Sequence, residues 1–310
     1  MIPPGKLANA DQLATAVASV VSDGRAAGAR TIDVRVWDGI DLRLFPDRGL
    51  DIGAAWFRGT PLAWITPDGE QGPPRPEDLV GRAWFDAWGG GLATTCGLSN
   101  VGAPSEGYGL HGTYTARGAA EVEIERTISE VTVTGTVTDP PFTLSRRVVS
   151  TVGQGLVRID DRVVNDSEWT AAAPLLYHVN IGAPMWDDDA YLETDAHEVV
   201  PRDDDSALGL PSWDEPPPAA DDAVERVFEH VGATWARLTN GRLGVELTVR
   251  SSLPRLWQWV QPASGLYVLG IEPANCSVLG RAHDIAAGRM PFLDPGESRS
   301  SWLTIGARAL

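Results

Sequence analysis

The sequence predicts an all-β protein, and two observations support this prediction. Short runs rich in β-branched residues recur along the 310-residue chain, and many alternate apolar with polar side chains, as half-buried antiparallel strands do. The 33 glycines and 23 prolines fall between these runs, where turns are expected. This pattern favours a meander or a sandwich over alternating βαβ units.

The predicted strands follow one another in order along the chain. They cover residues 31–37, 121–125, 130–137, 146–152, 156–164 and 243–249. Only 10–21 has a plausible helical face, and because this segment is rich in alanine it could instead be a strand that leads into a hairpin at Asp23 and Gly24. The proline-rich segment 211–222 is expected to be a surface loop, since strand patterning resumes at Ala233. We therefore expect a single domain over residues 1–310.

Composition and charge argue against several classes of function. Apolar residues make up 43% of the chain, enough for a sizeable core. The formal charge of −17 would repel a phosphate backbone, so no nucleic-acid partner is expected. No segment has the pattern of a secretory signal or a membrane span, and two cysteines, Cys96 and Cys276, are too few for a disulfide framework. We expect a cytoplasmic protein without a membrane partner, whose oligomeric state is left open.

The acidic run 187–189 could be read as a calcium site. It lacks the alternating ligands and the glycine of an EF-hand loop. We expect a solvated acidic loop there, and no metal.

Two segments in the first half of the chain carry polar residues near glycines. In 45–52, Arg48 and Asp51 flank a glycine, and the arginine could hold sugar hydroxyls or a carboxylate or could fasten a turn through an acidic neighbour. The segment 84–113 is glycine-rich and contains Trp88 and His111. His111 lies in a loop, where histidines are more often structural hydrogen-bonding groups than catalysts.

The strand predicted over 174–182 is apolar apart from Tyr177, His178 and Asn180. Because side chains alternate along a strand, His178 and Asn180 share one face. Two polar groups on one face indicate either a lined cavity or a satisfied hydrogen-bond network in the core.

The strand predicted over 266–275 carries Glu272 among apolar residues. Desolvation is expected to raise the pKa of this carboxyl group, as suits a general base. A buried salt bridge to an arginine is the alternative interpretation. That alternative does not account for Asn275, a second polar residue that follows closely.

Taken in order, these segments resemble the aldose 1-epimerase (galactose mutarotase-like) superfamily. The likeness covers most of the chain and is carried by residues 46–52, 90–98, 176–180 and 270–275. It is closest to an uncharacterised branch of that superfamily with PDRG-D-I, GG-L-TCGL, LYH-N and G-EP-N segments. The resemblance implies a large twisted antiparallel β-sandwich with a sugar cleft.

The resemblance also implies an enzyme that interconverts sugar anomers without a cofactor. His178 would be the general acid at the ring oxygen, Glu272 would take the proton of the anomeric hydroxyl, and His111 would bind and polarise the sugar. With ordinary pKa values of about 6.5 and about 4.3, a protonated His178 and an ionised Glu272 are expected near neutrality. The further residues expected to bind the substrate are Arg48, Asp51, Trp88, Tyr177, Asn180 and Asn275.

Other interpretations stay open at this point. The same residues could act on a keto-sugar in a lyase or isomerase reaction, with a divalent metal held by the two histidines and the glutamate, or the protein could bind carbohydrate without catalysis. The aspartate that usually contacts the sugar has no clear counterpart, and Asp187 and Glu193 are the candidates. The 12 tryptophans are more than one sugar site needs, so most are expected in the core. Those that could offer an apolar face to a sugar ring include Trp37, Trp56, Trp88, Trp186, Trp257 and Trp259.

Overall fold

The computed structural model describes residues 6–310, and strands dominate its regular structure. The strands are β1 (Ala14–Val20), β2 (Arg30–Val36), β3 (Ile40–Phe45), β4 (Asp51–Phe57), β5 (Thr60–Pro61), β6 (Ala93–Gly97), β7 (Ala119–Arg126), β8 (Glu130–Asp139), β9 (Phe142–Thr151), β10 (Leu156–Asn165), β11 (Ala171–Ala172), β12 (Leu175–Ile181), β13 (Ala190–Thr194), β14 (Glu198–Pro201), β15 (Arg226–Val231), β16 (Trp235–Asn240), β17 (Val245–Ser251), β18 (Arg255–Gln261), β19 (Val268–Ala274), β20 (Phe292–Leu293) and β21 (Ser298–Ala309).

The helices within residues 6–310 are short. The α-helices are α1 (Asp204–Gly209) and α2 (Arg281–Ala286). Single 3₁₀ turns lie at Ala10–Gln12, Pro46–Arg48, Pro76–Asp78, Tyr114–Ala116 and Leu210–Ser212. Across residues 6–310, none of the helices has the length and apolar character needed to cross a membrane.

Two large sheets carry almost all of the strands. The larger has 11 strands in the order β1-β2-β3-β4-β6-β12-β19-β18-β15-β14, with β5 added beside β4. The smaller has eight, in the order β13-β16-β17-β21-β10-β9-β8-β7. Neighbouring strands in both sheets run antiparallel. The predicted all-β sandwich is confirmed.

The six predicted runs correspond to β2, β7, β8, β9, β10 and β17. Segment 10–21 is a strand and not a helix, apart from a single 3₁₀ turn at its start. Ala14 and Ala16 on alternate positions of β1 are buried, and β1 pairs with β2 along its whole length. Asp23 and Gly24 lie in the connection between the two strands, as the strand interpretation expected.

A continuous apolar core draws on both sheets, from Ala14 near the start of the chain to Ala307 near its end. This continuity supports our proposal that the chain is one domain. Cys96 and Cys276 are buried with free thiols.

A second apolar cluster involves a different set of strands and loops. The long connections between β5 and β6 and between β6 and β7 contribute Trp84, Trp88 and Leu110, which pack with Trp257 and Trp259 of β18. Trp84, Trp88 and Trp259 of this cluster pack around the imidazole that His178 projects from β12.

Candidate active site

His178 and Glu272 come from adjacent strands of the larger sheet. β12 and β19 pair in a register that joins Leu176 to Ala274 and Val179 to Ile271. This register sets His178 opposite Glu272, and opposed residues of antiparallel strands project to the same face. Two residues far apart in sequence are thereby brought side by side.

The two side chains are in close contact, and one polar atom of each has no hydrogen-bond partner. His178 Nε2 lies 3.3 Å from Glu272 Oε1, and both residues are buried. Among residues 6–310, neither His178 Nδ1 nor Glu272 Oε1 finds a hydrogen-bond partner. Native structures satisfy nearly all buried polar atoms, so this unsatisfied pair is a candidate point of contact for a ligand.

Aromatic rings hold the His178 imidazole in place. Its ring centroid lies 5.0 Å from that of Trp88 and 5.4 Å from that of Trp259. Trp88 Nε1 donates a hydrogen bond of 3.0 Å to Thr94 Oγ1, which fixes the indole against the imidazole. His178 therefore has little freedom to change rotamer.

His111 reaches the same site from the loop between β6 and β7. Its φ of 56° is left-handed, and its backbone N–H donates to the Gly102 carbonyl oxygen at 3.1 Å. Its Nδ1 accepts from the Gly102 N–H at 3.3 Å, so the proton of the neutral ring belongs on Nε2. The ring centroids of His111 and His178 are 5.6 Å apart. His111 is thus a hydrogen-bond donor beside the pair.

These three residues line one cavity of about 280 Å³, close to the lower size limit of small-molecule sites. Its other charged lining residues are Arg82, Arg202 and Glu225, and its apolar lining includes Phe85, Leu110 and Trp259. Arg202 donates to Glu225 Oε1 at 3.0 Å, and Trp259 Nε1 donates to Glu225 Oε2 at 2.9 Å. One wall is therefore a fixed, hydrogen-bonded ion pair.

A larger hollow, of about 1070 Å³, opens among strands β7 to β10 and β21 of the smaller sheet. In its lining, Arg147 and Asp160 pair with each other, and Asp160 also pairs with Arg158. We assign the site to the smaller cavity because it alone of the two contains the unpartnered His178 and Glu272 atoms.

Burial shifts the protonation of all three central residues. Desolvation raises the pKa of Glu272 to about 8, with nearby Glu225 adding to the rise and Arg202 opposing it. Desolvation lowers the pKa of His178 well below its usual value, helped by His111, and lowers that of His111 to about 3, helped by Arg82. The free protein near neutrality holds neutral histidines and a protonated Glu272. The expected pairing of a protonated His178 with an ionised Glu272 is therefore reversed, because isolated charges are disfavoured in this buried site.

A metal-dependent variant of the chemistry would need a set of converging ligands. Within the described residues, no group of three or more His, Cys, Asp or Glu side chains is arranged to hold a metal ion. His111, His178 and Glu272 line one cavity without forming such a set.

Arg48 and Asp51, expected to bind the substrate, lie outside the cavity. Arg48 donates to the Gly72 carbonyl oxygen at 2.7 Å and to Thr115 Oγ1 at 2.9 Å. Asp51 accepts from Arg146 at 2.9 Å and from Thr95 Oγ1 at 2.7 Å. Both are buried, and their hydrogen bonds to other parts of the chain fit the alternative role of fastening the fold.

Tyr177, Asn180 and Asn275 are also positioned away from the cavity. Tyr177 projects to the opposite face from His178, and its hydroxyl donates to Asp161 at 2.9 Å. Asn180 donates to the Gly91 carbonyl oxygen at 2.9 Å. Asn275 Oδ1 accepts from the Leu175 N–H at 2.7 Å. These hydrogen bonds hold β12 to its surroundings, and none of the three residues lines the cavity.

The remaining candidates divide in a similar way. Trp88 packs behind His178 and does not line the cavity, whereas Trp259 does. Asp187 pairs with Arg242, and Glu193 lies 3.5 Å from Arg237, so neither carboxylate supplies the expected sugar contact. Of the other tryptophans, Trp186 and Trp257 are buried, while Trp37 and Trp56 are exposed and off the cavity.

Arg82, Arg202 and Glu225 were missed by reasoning from the sequence. They lie in connecting segments and at a strand margin, with no distinctive spacing. Charged residues in such places are usually solvated, so only the folded arrangement distinguishes them.

Known structures share this fold. A Klebsiella pneumoniae protein provisionally named an aldose 1-epimerase is 21% identical and superposes with a TM-score of 0.85 over 96% of this chain and 88% of that one. A galactose mutarotase-like protein from Clostridium acetobutylicum is 12% identical, with a TM-score of 0.60 over 96% and 100% of the two chains. An Escherichia coli protein, also provisionally named an aldose 1-epimerase, gives the same values. The chain thus has the galactose mutarotase-like fold.

Comparison with curated proteins gave no match in sequence. The family model described as a domain of unknown function, DUF4432, matches residues 26–307. This match spans most of the chain, and the protein therefore belongs to the DUF4432 family.

Proposed function

We propose that this protein is an aldose 1-epimerase-like isomerase, which interconverts the anomers of a sugar by opening and reclosing its ring. The observation that carries the proposal is the buried contact of 3.3 Å between His178 Nε2 and Glu272 Oε1 on the wall of a sugar-sized cavity. The names of the structural neighbours support the same reaction class.

Ring opening requires one group that takes the proton of the anomeric hydroxyl and one that gives a proton to the ring oxygen. The raised pKa of Glu272 keeps its carboxyl group protonated near neutrality, so Glu272 can donate a proton. The lowered pKa of His178 keeps its ring neutral, so His178 can accept one. The hydroxyl proton passes to His178 while Glu272 protonates the ring oxygen, and reclosure on the other carbonyl face reverses both transfers. The pair ends the cycle with the proton it began with.

This assignment exchanges the roles that the resemblance implied, because burial decides which partner holds the proton.

His111 contributes differently. With its proton on Nε2 and a pKa of about 3, it stays neutral and donates a hydrogen bond to a sugar oxygen, which stabilises negative charge developing there. The proposed chemistry uses no cofactor.

One-dimensional NMR of freshly dissolved α-sugars tests the proposal. We expect the protein to accelerate anomer exchange for at least one member of a panel of hexoses, pentoses and acidic sugars. Absence of acceleration across the whole panel would refute the epimerase. Calorimetric binding of a panel sugar without any turnover would instead favour a non-catalytic carbohydrate-binding protein.

A further inference from the structure

Arg82 is an exposed arginine on the lining of the candidate sugar cavity. Within residues 6–310 its guanidinium has no carboxylate partner and no side-chain hydrogen bond, and its Cζ lies 5.0 Å from the Phe85 ring centroid. Arg202, the other arginine of the cavity, is paired with Asp203 and Glu225. Arg82 therefore brings an uncompensated positive charge to the site.

The backbone fixes this arginine beside His111. The Leu110 N–H donates to the Gly81 carbonyl oxygen at 2.8 Å. Gly109 packs so closely on this segment that a Cβ there would lie 2.1 Å from the Leu79 carbonyl oxygen. The residue before Arg82 and the residue before His111 are thus joined directly, so the two side chains reach the cavity from one rigid junction.

The charge of the cavity differs from that of the whole molecule. The chain carries a formal charge of −17, which repels anions at long range. Asp203 pairs with Arg202 from outside the cavity. Among the residues that line the cavity, Arg202 and Glu225 offset each other and Glu272 is held protonated, which leaves Arg82 as the unpaired charge of the lining. A site of this kind favours a ligand that brings a negative charge, because a guanidinium binds carboxylate and phosphate oxygens in a bidentate way.

We propose that the substrate of this site is a sugar with an anionic substituent, a carboxylate or a phosphate, which Arg82 binds. The inference rests on the proposed sugar site and adds the class of substrate to it. Arg82 acts in recognition, while His178 and Glu272 act on the ring.

Calorimetry at low ionic strength tests this inference with matched sugars, comparing galactose with galacturonate and glucose with glucuronate and glucose 6-phosphate. We expect the native protein to bind at least one anionic sugar more tightly than its neutral counterpart. Comparing the affinities for the uronates with that for glucose 6-phosphate then shows whether the site recognises a carboxylate or a phosphate. Arg82→Gln should weaken that binding by about ten- to a hundredfold, as loss of a hydrogen-bonded charge pair does. Arg82→Lys should retain part of it.

Arg75→Gln is the matched control, since Arg75 is exposed in the same connection but does not line the cavity. It makes the same change in net charge and should leave the affinity unchanged. Equal binding of neutral and anionic sugars, failure to bind any of the anionic sugars, or equal weakening by both glutamine variants would overturn the inference. If anionic sugars bind through Arg82 but their anomers do not exchange faster, the inference about Arg82 stands and the proposed epimerase activity is refuted. If anomers exchange faster but anionic sugars are not preferred, the epimerase proposal stands and the inference about Arg82 is refuted.

Discussion

A Cβ built on Gly270 would lie 2.7 Å from Glu272 Oε1, on the same face of β19. The same atom would lie 3.1 Å from His178 Cε1. Glycine at this position leaves the space in which the carboxyl group meets the imidazole. The backbone of β19 therefore shapes the site as directly as the two titratable side chains do.

Gly270→Ala is expected to lower the catalysed rate of anomer exchange by at least about tenfold, because displacement of a catalytic group by about 1 Å can have effects on the order of a hundredfold. The rate is measured by NMR, with the melting temperature as a check on folding. Gly306→Ala is the control, since its Cβ would meet its nearest neighbour at an ordinary 3.7 Å. Equal rates for native protein and the Gly270 variant would show that the contact does not matter for activity.

The raised pKa of Glu272 predicts a dependence of stability on pH. At a pH between the ordinary glutamate pKa of about 4.3 and the folded pKa of about 8, the unfolded chain loses this proton and the folded protein keeps it. Stability from this group is therefore present below about pH 4.3 and declines as the pH rises through about 8. The neutral amide of a Glu272→Gln variant would lack the decline.

The free energy of unfolding of native protein and Glu272→Gln, measured in urea from pH 5 to pH 9, tests this prediction. As the pH rises to about 8, the free energy of unfolding of the native protein should fall relative to that of the variant by up to about 1.4 kcal/mol per pH unit. The histidines titrate in both proteins, so their contributions cancel. A difference that is constant with pH would contradict the assigned protonation of Glu272.

Arg146 is the centre of a buried ionic network between the sheets. It donates to Asp161 at 2.7 Å and 2.9 Å, to Asp51 at 2.9 Å and to Thr95 Oγ1 at 2.8 Å. Arg146→Met leaves two buried carboxylates without their cation and should destabilise the fold by about 3–5 kcal/mol.

Its neighbour Arg147 provides the comparison, because it is half-exposed and makes ion pairs of only 3.6 Å and 4.0 Å. Arg147→Met should change the free energy of unfolding by no more than about 1 kcal/mol. Similar losses for the two variants would mean that the buried network does not stabilise the fold.

The all-β class and the positions of several strands were accessible from the sequence, because alternation and turn residues are local properties. The site was accessible only in part. His178 and Glu272 stood out as polar residues in apolar strands, yet the register that joins β12 to β19 depends on pairing between segments about 90 residues apart in the sequence. The prediction that His178 and Glu272 act as a pair came from the family resemblance and not from the local sequence pattern.

The differences between the expected and the observed surroundings of these residues have a common physical origin. From spacing alone, Arg48 and Asp51 could bind a ligand or fasten the fold, and only the positions of Thr115 and Arg146 decide between these roles. The protonation of Glu272 was misjudged because the pKa depends on burial, which the sequence does not specify. Arg82 was overlooked because an exposed arginine has no sequence signature.

The assigned protonation also predicts how catalysis depends on pH. The one-proton state of the His178 and Glu272 pair is the active form, and it is lost when Glu272 ionises. The value of kcat/KM for anomer exchange should therefore fall above about pH 8. A value that stays constant up to pH 10 would rule out Glu272 as the proton donor.

The central claim is that His178 and Glu272 together move the protons of ring opening, and the rate of anomer exchange by native protein and Glu272→Gln tests it most directly. The amide keeps the size of the side chain but cannot donate the required proton. We predict acceleration by native protein and a loss of at least about a hundredfold in the variant, in line with the effect of general acid–base groups, with sugar binding retained. Undiminished exchange by Glu272→Gln would contradict the account.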